Sequence, residues 1–211
     1  GLHARPPHRH LIEGVIDWRL APQTGDVSWG DTDKSHSNIS TTALCWAALA
    51  AADGRADPTT ARAEAWLERQ AGSLDRTALA RAITRRYGKD RTFSVPILTM
   101  CALMGRLGPD EQAWRLVTQL PFELAACPHQ WFKWLRLPVV SYALPALIAM
   151  GLVRHRRRPT RNPLSRWLRR AVEARVLRTL ESIQPTNGGF LEATPLTSFV
   201  VMSLASVGYA D

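Results

Sequence analysis

The chain is short of the residues that build several common kinds of site. Its three cysteines, Cys45, Cys101 and Cys127, are odd in number, far apart and set among apolar neighbours, with no CxxC pair. That pattern supports neither a disulfide framework nor a thiolate metal site; the thiols read as inert core groups of a reducing compartment. His3, His8 and His10 sit in a Pro- and Arg-rich start that reads as a frayed terminus, and His36, His129 and His155 stand alone. No metal and no cofactor is expected. The longest apolar run, 137–153, is interrupted by Pro138, Ser141, Tyr142 and Pro145. It falls short of the roughly 20 residues that span a bilayer. No Met and no basic-then-apolar leader opens the sequence, and it stops just past Gly208, where another turn is expected. The 211 residues, 45% hydrophobic, therefore read as part of a longer cytoplasmic chain, with content for one well-buried domain.

Acid is missing from one place in particular. Between positions 154 and 170 there are eight arginines (154, 156, 157, 158, 161, 166, 169 and 170) and no carboxylate. Taking those eight from the 27 basic residues leaves 19 against 18 acidic ones, so the net charge of +9 belongs to this segment. A solvated connection or a local anionic contact accounts for it. No base-stacking pattern accompanies Arg154 to Arg170, so a nucleic-acid partner is not expected.

What is present is helical periodicity. Apolar residues at 11, 12, 15, 16 and 20 make a stripe with Trp18 on its margin. A helix over 41–52 is capped by Ser40 and closed by Gly54, and amphipathic helices follow over 58–71 and 73–87. A helix over 93–107 is stopped by Gly105 and Gly108 and tolerates Pro96 only in its first turn. Residues 109–120 are amphipathic; 121–138 is broken by three prolines and dense in aromatics; 139–150 is apolar and ended by Gly151. An amphipathic helix over 164–183, a turn over 184–190 and an apolar helix over 197–207 complete the chain.

Four of these segments share a plan: TTALCWAALAAADG, TFSVPILTMCALMGRLG, VVSYALPALIAMG and TSFVVMSLASVG. Each opens on small or β-branched residues, turns almost wholly apolar and closes on glycine, about every fifty residues. A helix apolar on all sides has to be buried on all sides. Buried helices alternating with half-buried ones point to an all-α fold of stacked hairpins, either a closed α/α toroid or an open solenoid. The expected division is a tail with a first helix over 1–22 and one toroid domain over 23–211, with the Arg-rich connection at 152–170.

The turn Gln23…Gly25…Trp29 and its later copy Gln184…Gly188-Gly189-Phe190 resemble the Gln/Gly/aromatic turns of squalene–hopene cyclases and other class II terpene cyclases. The ordered run RTFSVPILTMCALMGRLG, LPFELAACPHQWFKWLRLP, VVSYALPALIAMG is similar to the middle of that family's N-terminal half. The resemblance implies an α/α toroid, peripheral on the inner membrane face, that folds a polyprenyl substrate such as squalene in an apolar cavity. There an acid protonates one end and aromatic faces stabilise the passing cations. The family's acid lies in an Asp-x-Asp-Asp motif, which this chain lacks. A non-catalytic toroid for docking or scaffolding is the second reading, and a carbohydrate-active toroid using carboxylates such as Asp31 and Glu192 the third.

The nearest approach to an acid motif is Asp31-Thr32-Asp33, with Lys34 beside it, where a cation lowers a carboxyl pKa. Asp31 and Asp33 are candidate catalytic residues, for which capping and turn formation ahead of the next helix is the alternative. The candidate substrate-binding rings are Trp29, Phe93, Trp131, Phe132, Tyr142 and Phe199, for which core packing is the alternative. Trp131 and Trp134, with Lys133 and Arg136, also suit a membrane interface, to which Arg154 to Arg170 would add anionic-lipid attraction.

Overall fold

The computed structural model describes residues 9–20, 28–32, 34–51, 57–127, 143–190 and 194–209. Among them are nine α-helices and no strand. The chain divides into two compact units, Gly1–Pro109 and Asp110–Asp211, so a boundary falls inside the span that the sequence treats as one domain.

The first unit is built around α2 (Ile39–Ala48), an Ala-rich helix that packs against α3 (Asp57–Ala71), α4 (Arg76–Tyr87) and α5 (Arg91–Leu103). It starts two residues before the expected 41, because Asn38 and not Ser40 caps it. The Asn38 Oδ1 accepts from the Ser40 and Thr41 amides at 3.1 and 3.0 Å, while the Ser40 hydroxyl accepts instead from Tyr87 Oη at 2.8 Å. Ala43, Trp46 and Ala47 are buried, as are Ala63, Trp66 and Leu67 on α3, Leu79 and Ile83 on α4, and Ile97 and Leu98 on α5. Each large apolar side chain so enclosed contributes about 1.5–3 kcal/mol.

The end of α2 is closed from a distance. Arg106 donates from Nε and Nη2 to the Trp46 carbonyl at 3.3 and 3.1 Å, and its guanidinium lies 4.7 Å from the Trp46 ring centre. Glu64 completes the cluster, accepting from Trp46 Nε1 at 3.0 Å and standing 3.8 Å from Arg106. Helix α5 is capped by Asp90, whose carboxylate accepts from the Thr92 amide at 2.8 Å. Pro96 is its sixth residue, beyond the first turn that the sequence requires of it. It forfeits the bond that an amide there would make to the Thr92 carbonyl, and it is buried. Burial pushes the Cys101 thiol up to about 12, and that thiol donates to the Ala43 carbonyl at 3.8 Å. It is an unreactive core group.

The flanking α1 (Arg9–Leu20) leaves Leu11, Val15 and Trp18 exposed.

The second unit is organised around α7 (Leu144–Arg157), on which α9 (Thr194–Ser206) packs most extensively. Helix α6 (Asp110–Leu116), a 3-10 segment at Phe122–Ala126 and α8 (Pro163–Ser182) also contact it. Gly151 does not end this helix: it lies within it, buried. A Cβ there would stand 2.9 Å from the Phe122 Cβ and 3.1 Å from the Leu120 carbonyl oxygen. The glycine serves close approach, whereas Gly208, at φ +90°, does stop α9.

The Arg-rich segment is only in part a connection, at residues 158–162. It forms the last turn of α7 and the first half of α8, and much of it ties the unit together. Arg154, 7% exposed, donates from Nε to the Val117 carbonyl at 2.9 Å, and burial brings its pKa down to about 10. Arg156 donates to Glu173 at 2.7 Å, Arg157 to the Ser206 carbonyl, and Arg169 makes a two-pronged bond to Glu123 at 3.0 and 2.9 Å. The carboxylates absent from the segment itself are supplied by neighbouring elements.

Two predictions follow from the second unit's packing. Gly151→Ala lowers the unfolding free energy by about 1–3 kcal/mol through overpacking. Gly14→Ala, in α1 with nothing within 4 Å of the added Cβ, leaves it unchanged or raises it by up to about 1 kcal/mol. Equal effects in thermal denaturation contradict the close-approach role. His155, 2% exposed, has its pKa held below 6.5 chiefly by burial and then by Arg169. The unfolded chain therefore takes up a proton near 6.5 that the folded chain accepts only at lower pH. The stability His155 contributes is complete above 6.5 and lost as pH falls through its folded value. His155→Gln flattens denaturant-unfolding stability between about pH 7 and 5, and a wild-type curve already flat there contradicts this.

Candidate functional site

The residues that the sequence marks as chemically suggestive meet, in part, at the N-terminal end of α2. Gly30 allows the loop ahead of that helix to fold on itself, since a Cβ there would lie 2.4 Å from the Ser35 carbonyl oxygen. The loop returns through the Asn38 amide, which donates to the Trp29 carbonyl at 3.1 Å. Beside it opens a cleft of about 440 Å³ lined by Ser37, Asn38, Ile39, Trp66, Gln70, Ala82, Arg85 and Arg86. The last turn of α4 thus contributes two arginines to the lining, α3 an indole and an amide, and the start of α2 its capping residue.

Asp31 sits at the edge of this loop. Its carboxylate accepts from Thr41 Oγ1 at 2.6 Å and from Asn38 Nδ2 at 2.9 Å. These two bonds, that from Thr41 first, hold its pKa below the ordinary 3.8 against the upward push of burial, with the charge of Arg86 a smaller downward influence. Lys34, expected from its adjacency in sequence, is not among the causes. Asp31 is thus ionised at neutral pH and serves to orient the Asn38 cap; a proton donor needs the opposite shift. Asp33 lies outside the described residues.

The candidate rings separate. Trp29 is a core residue, 1% exposed, with its backbone N–H donating to Thr42 Oγ1 at 3.1 Å. Phe93, 49% exposed, stacks on Tyr87 with ring centres 5.4 Å apart and planes 21° from parallel. Through Tyr87, whose hydroxyl reaches Ser40, that stack joins the α2 cap. Phe199 is half-buried on α9 in the other unit. Trp131, Phe132, Trp134 and Tyr142 lie outside the described residues, as do Gln23 and Glu192. Glu123 is an ion-pair residue, held by Arg169.

Arg85, Arg86 and Gln70 are the site residues that sequence reasoning passes over, because on paper they belong to ordinary solvated helix faces. Only the adjacent arginines just before Tyr87 and Gly88 hint at a cationic helix end. Chemically, the cleft offers two cations, amide and hydroxyl groups, and an aromatic wall. It suits an anion or a hydrogen-bonded polar group, and it presents no neutral carboxylic acid. Among the described residues, no cluster of His, Cys, Asp and Glu has the makings of a metal site, and no helix is long and apolar enough to cross a membrane.

Compared with known proteins, the chain matches no family model, no curated protein and no solved structure.

Asp31→Asn weakens the bonds from Asn38 and Thr41 and is expected to cost about 1 kcal/mol in chemical denaturation at pH 7. The difference from wild type narrows as pH falls below 3.8, where wild-type Asp31 itself becomes protonated. A variant as stable as wild type at neutral pH contradicts the capping role.

Proposed function

We propose that this chain is the N-terminal portion of a squalene–hopene-cyclase-like terpenoid cyclase, built as an α/α toroid of helical hairpins. The observation that carries this reading is a detail common to its two Gln/Gly/aromatic turns. The backbone N–H of Trp29 donates to Thr42 Oγ1 at 3.1 Å, and that of Phe190 donates to Thr197 Oγ1 at 2.9 Å. Each threonine is the fourth residue of the helix that follows, α2 from Ile39 and α9 from Thr194. Each aromatic is buried, at 1% and 5% exposure. In the second turn Gln184 Nε2 also donates to the Gly188 carbonyl at 2.9 Å. Two turns far apart in sequence thus anchor an apolar helix with the same lock, as expected of a repeated hairpin unit.

In the proposed reaction a carboxylic acid protonates the terminal double bond of a polyprenyl chain. Ring closure then moves positive charge along the chain past aromatic faces until a proton is lost or water is captured. Asp31, being ionised, does not supply that proton. The family's Asp-x-Asp-Asp motif is absent from these 211 residues, so the chain alone is expected to leave squalene unchanged. The second reading, a non-catalytic toroid that docks a partner, is favoured by the polar, cationic character of the cleft beside α2.

Two measurements separate them. Incubation of the chain with squalene, followed by mass spectrometry, is expected to yield no cyclised product. Turnover lost in Asp31→Asn or Asp33→Asn would overturn the placement of the acid. Sequencing the transcript beyond the Asp211 codon is expected to reveal an Asp-x-Asp-Asp motif; a full reading frame without one rejects the cyclase and leaves the docking toroid.

A further inference from the structure

Helix α4 carries four arginines, Arg76, Arg81, Arg85 and Arg86, and no carboxylate. The first two are used within the first unit. Arg76 fills the space over Gly108 that a Cβ there would need, and Arg81 donates from Nε to the Thr77 carbonyl at 3.2 Å. Arg85 and Arg86 are exposed, and among the described residues neither side chain makes a hydrogen bond or an ion pair. The acids of α3 do not serve them: Glu64 accepts from Trp46 and stands beside Arg106, and Glu68 forms no ion pair among the described residues. Asp31 feels the charge of Arg86, but its carboxylate is engaged by Thr41 and Asn38.

Both arginines line the cleft beside α2, together with Gln70, whose exposed amide is likewise without a partner among the described residues. The rest of the lining is firmer. Asn38, Ile39 and Trp66 are buried, and Asn38 is further held by Asp31 and by two amides of α2. Cations in the last turn of a helix complement its dipole. That role requires neither a concave site nor polar groups converging on it from two other helices. The cleft, at about 440 Å³, is larger than a bare inorganic anion needs and falls within the roughly 300–1,000 Å³ of small-molecule sites.

We propose that this cleft binds a phosphate monoester, with Arg85 and Arg86 on the phosphate oxygens, Gln70 as a further donor, and a small organic body along Ile39, Trp66 and Ala82. The pairing of charges selects this ligand. A carboxylate offers two oxygens and one charge, which a single guanidinium satisfies in a two-pronged bond. A phosphate monoester offers three oxygens and close to two charges, which two guanidiniums match. The organic body is small, because Ile39 and Trp66 leave little of their surface open. The site stands on α2, α3 and α4 alone and is independent of the cyclase assignment.

The test is a proton–nitrogen NMR titration of the chain with phenyl phosphate, inorganic phosphate and benzoate at constant ionic strength, at about pH 8, where the monoester is a dianion. Saturable shifts are expected at the Ser37, Asn38 and Ile39 amides, the Gln70 side chain and the Arg85 and Arg86 Nε–H groups, with phenyl phosphate binding most tightly. Arg85→Gln with Arg86→Gln is expected to weaken phenyl phosphate on the order of tenfold, and Gln70→Ala about threefold. Arg175→Gln with Arg178→Gln, exposed on α8, is the control with unchanged affinity. The substituted residues are exposed, so circular dichroism and thermal midpoint should stay at wild-type values; if the Arg85/Arg86 pair disturbs either, Gln70→Ala decides. Shifts that fail to saturate, or that weaken equally in the control pair, overturn the proposal in favour of a general attraction for anions. Benzoate or inorganic phosphate binding as tightly as phenyl phosphate also overturns it. The first result assigns the cleft to carboxylates such as those of an acidic protein segment, and the second to the free anion.

Discussion

A helix enclosed on every side must have its end groups bonded by something other than water, and that requirement runs through this molecule. The orphan amides and carbonyls at a helix terminus each cost about 1–3 kcal/mol if buried without a partner. At the start of α2 the amides go to Asn38, which Asp31 holds in place; at its end the Trp46 carbonyl goes to Arg106, 60 residues away in sequence. In the second unit Arg154 serves the Val117 carbonyl just past α6, while Gln119 Nε2 bridges the loop carbonyl of Leu120 and the mid-helix carbonyl of Gly151 at 2.8 Å each. Long polar side chains thus act as closures for apolar helices. That explains why so many arginines can be accommodated in a chain whose cores are otherwise alanine, leucine and valine.

Seen this way, charge in this protein has three different uses. Arg106 and Arg154 close helix ends. Arg156 and Arg169 pair with carboxylates brought in from other elements, Glu173 and Glu123. Arg161, Arg166 and Arg170 remain outside. The last group stays exposed with no carboxylate beside it, so it adds directly to the surface potential of the second unit.

The sequence makes the helices legible because their periodicity is local. α8 was expected over 164–183 and spans Pro163–Ser182, and the stops at Gly105 and Gly208 are real, both at positive φ. What is not local is not legible. Gly151 looks the same on paper as a stopping glycine, yet it is a contact point for Phe122 and Leu120, residues about one helix earlier. The arginine run looks solvated because its acids are out of sight: Glu123 lies 46 positions before Arg169. The aspartate turn was visible, but the direction of its pKa depended on Thr41, Asn38 and Arg86, two of them on other elements, and the cleft needed Trp66 and Arg85 from separate helices. The stripe at 164, 167, 168 and 171 was readable as amphipathic, but which of the helix's two apolar patches faces the core was decided by packing.

If closure of buried helix ends is what sustains the fold, the helices so closed should be the last to open. Native-state amide hydrogen exchange measures this directly. Amides in the central turns of α2 are expected to exchange slowest, at the rate set by global unfolding, while those of α1, with Leu11, Val15 and Trp18 exposed, exchange through small local openings. Exchange in α2 as rapid as in α1 would contradict the claim.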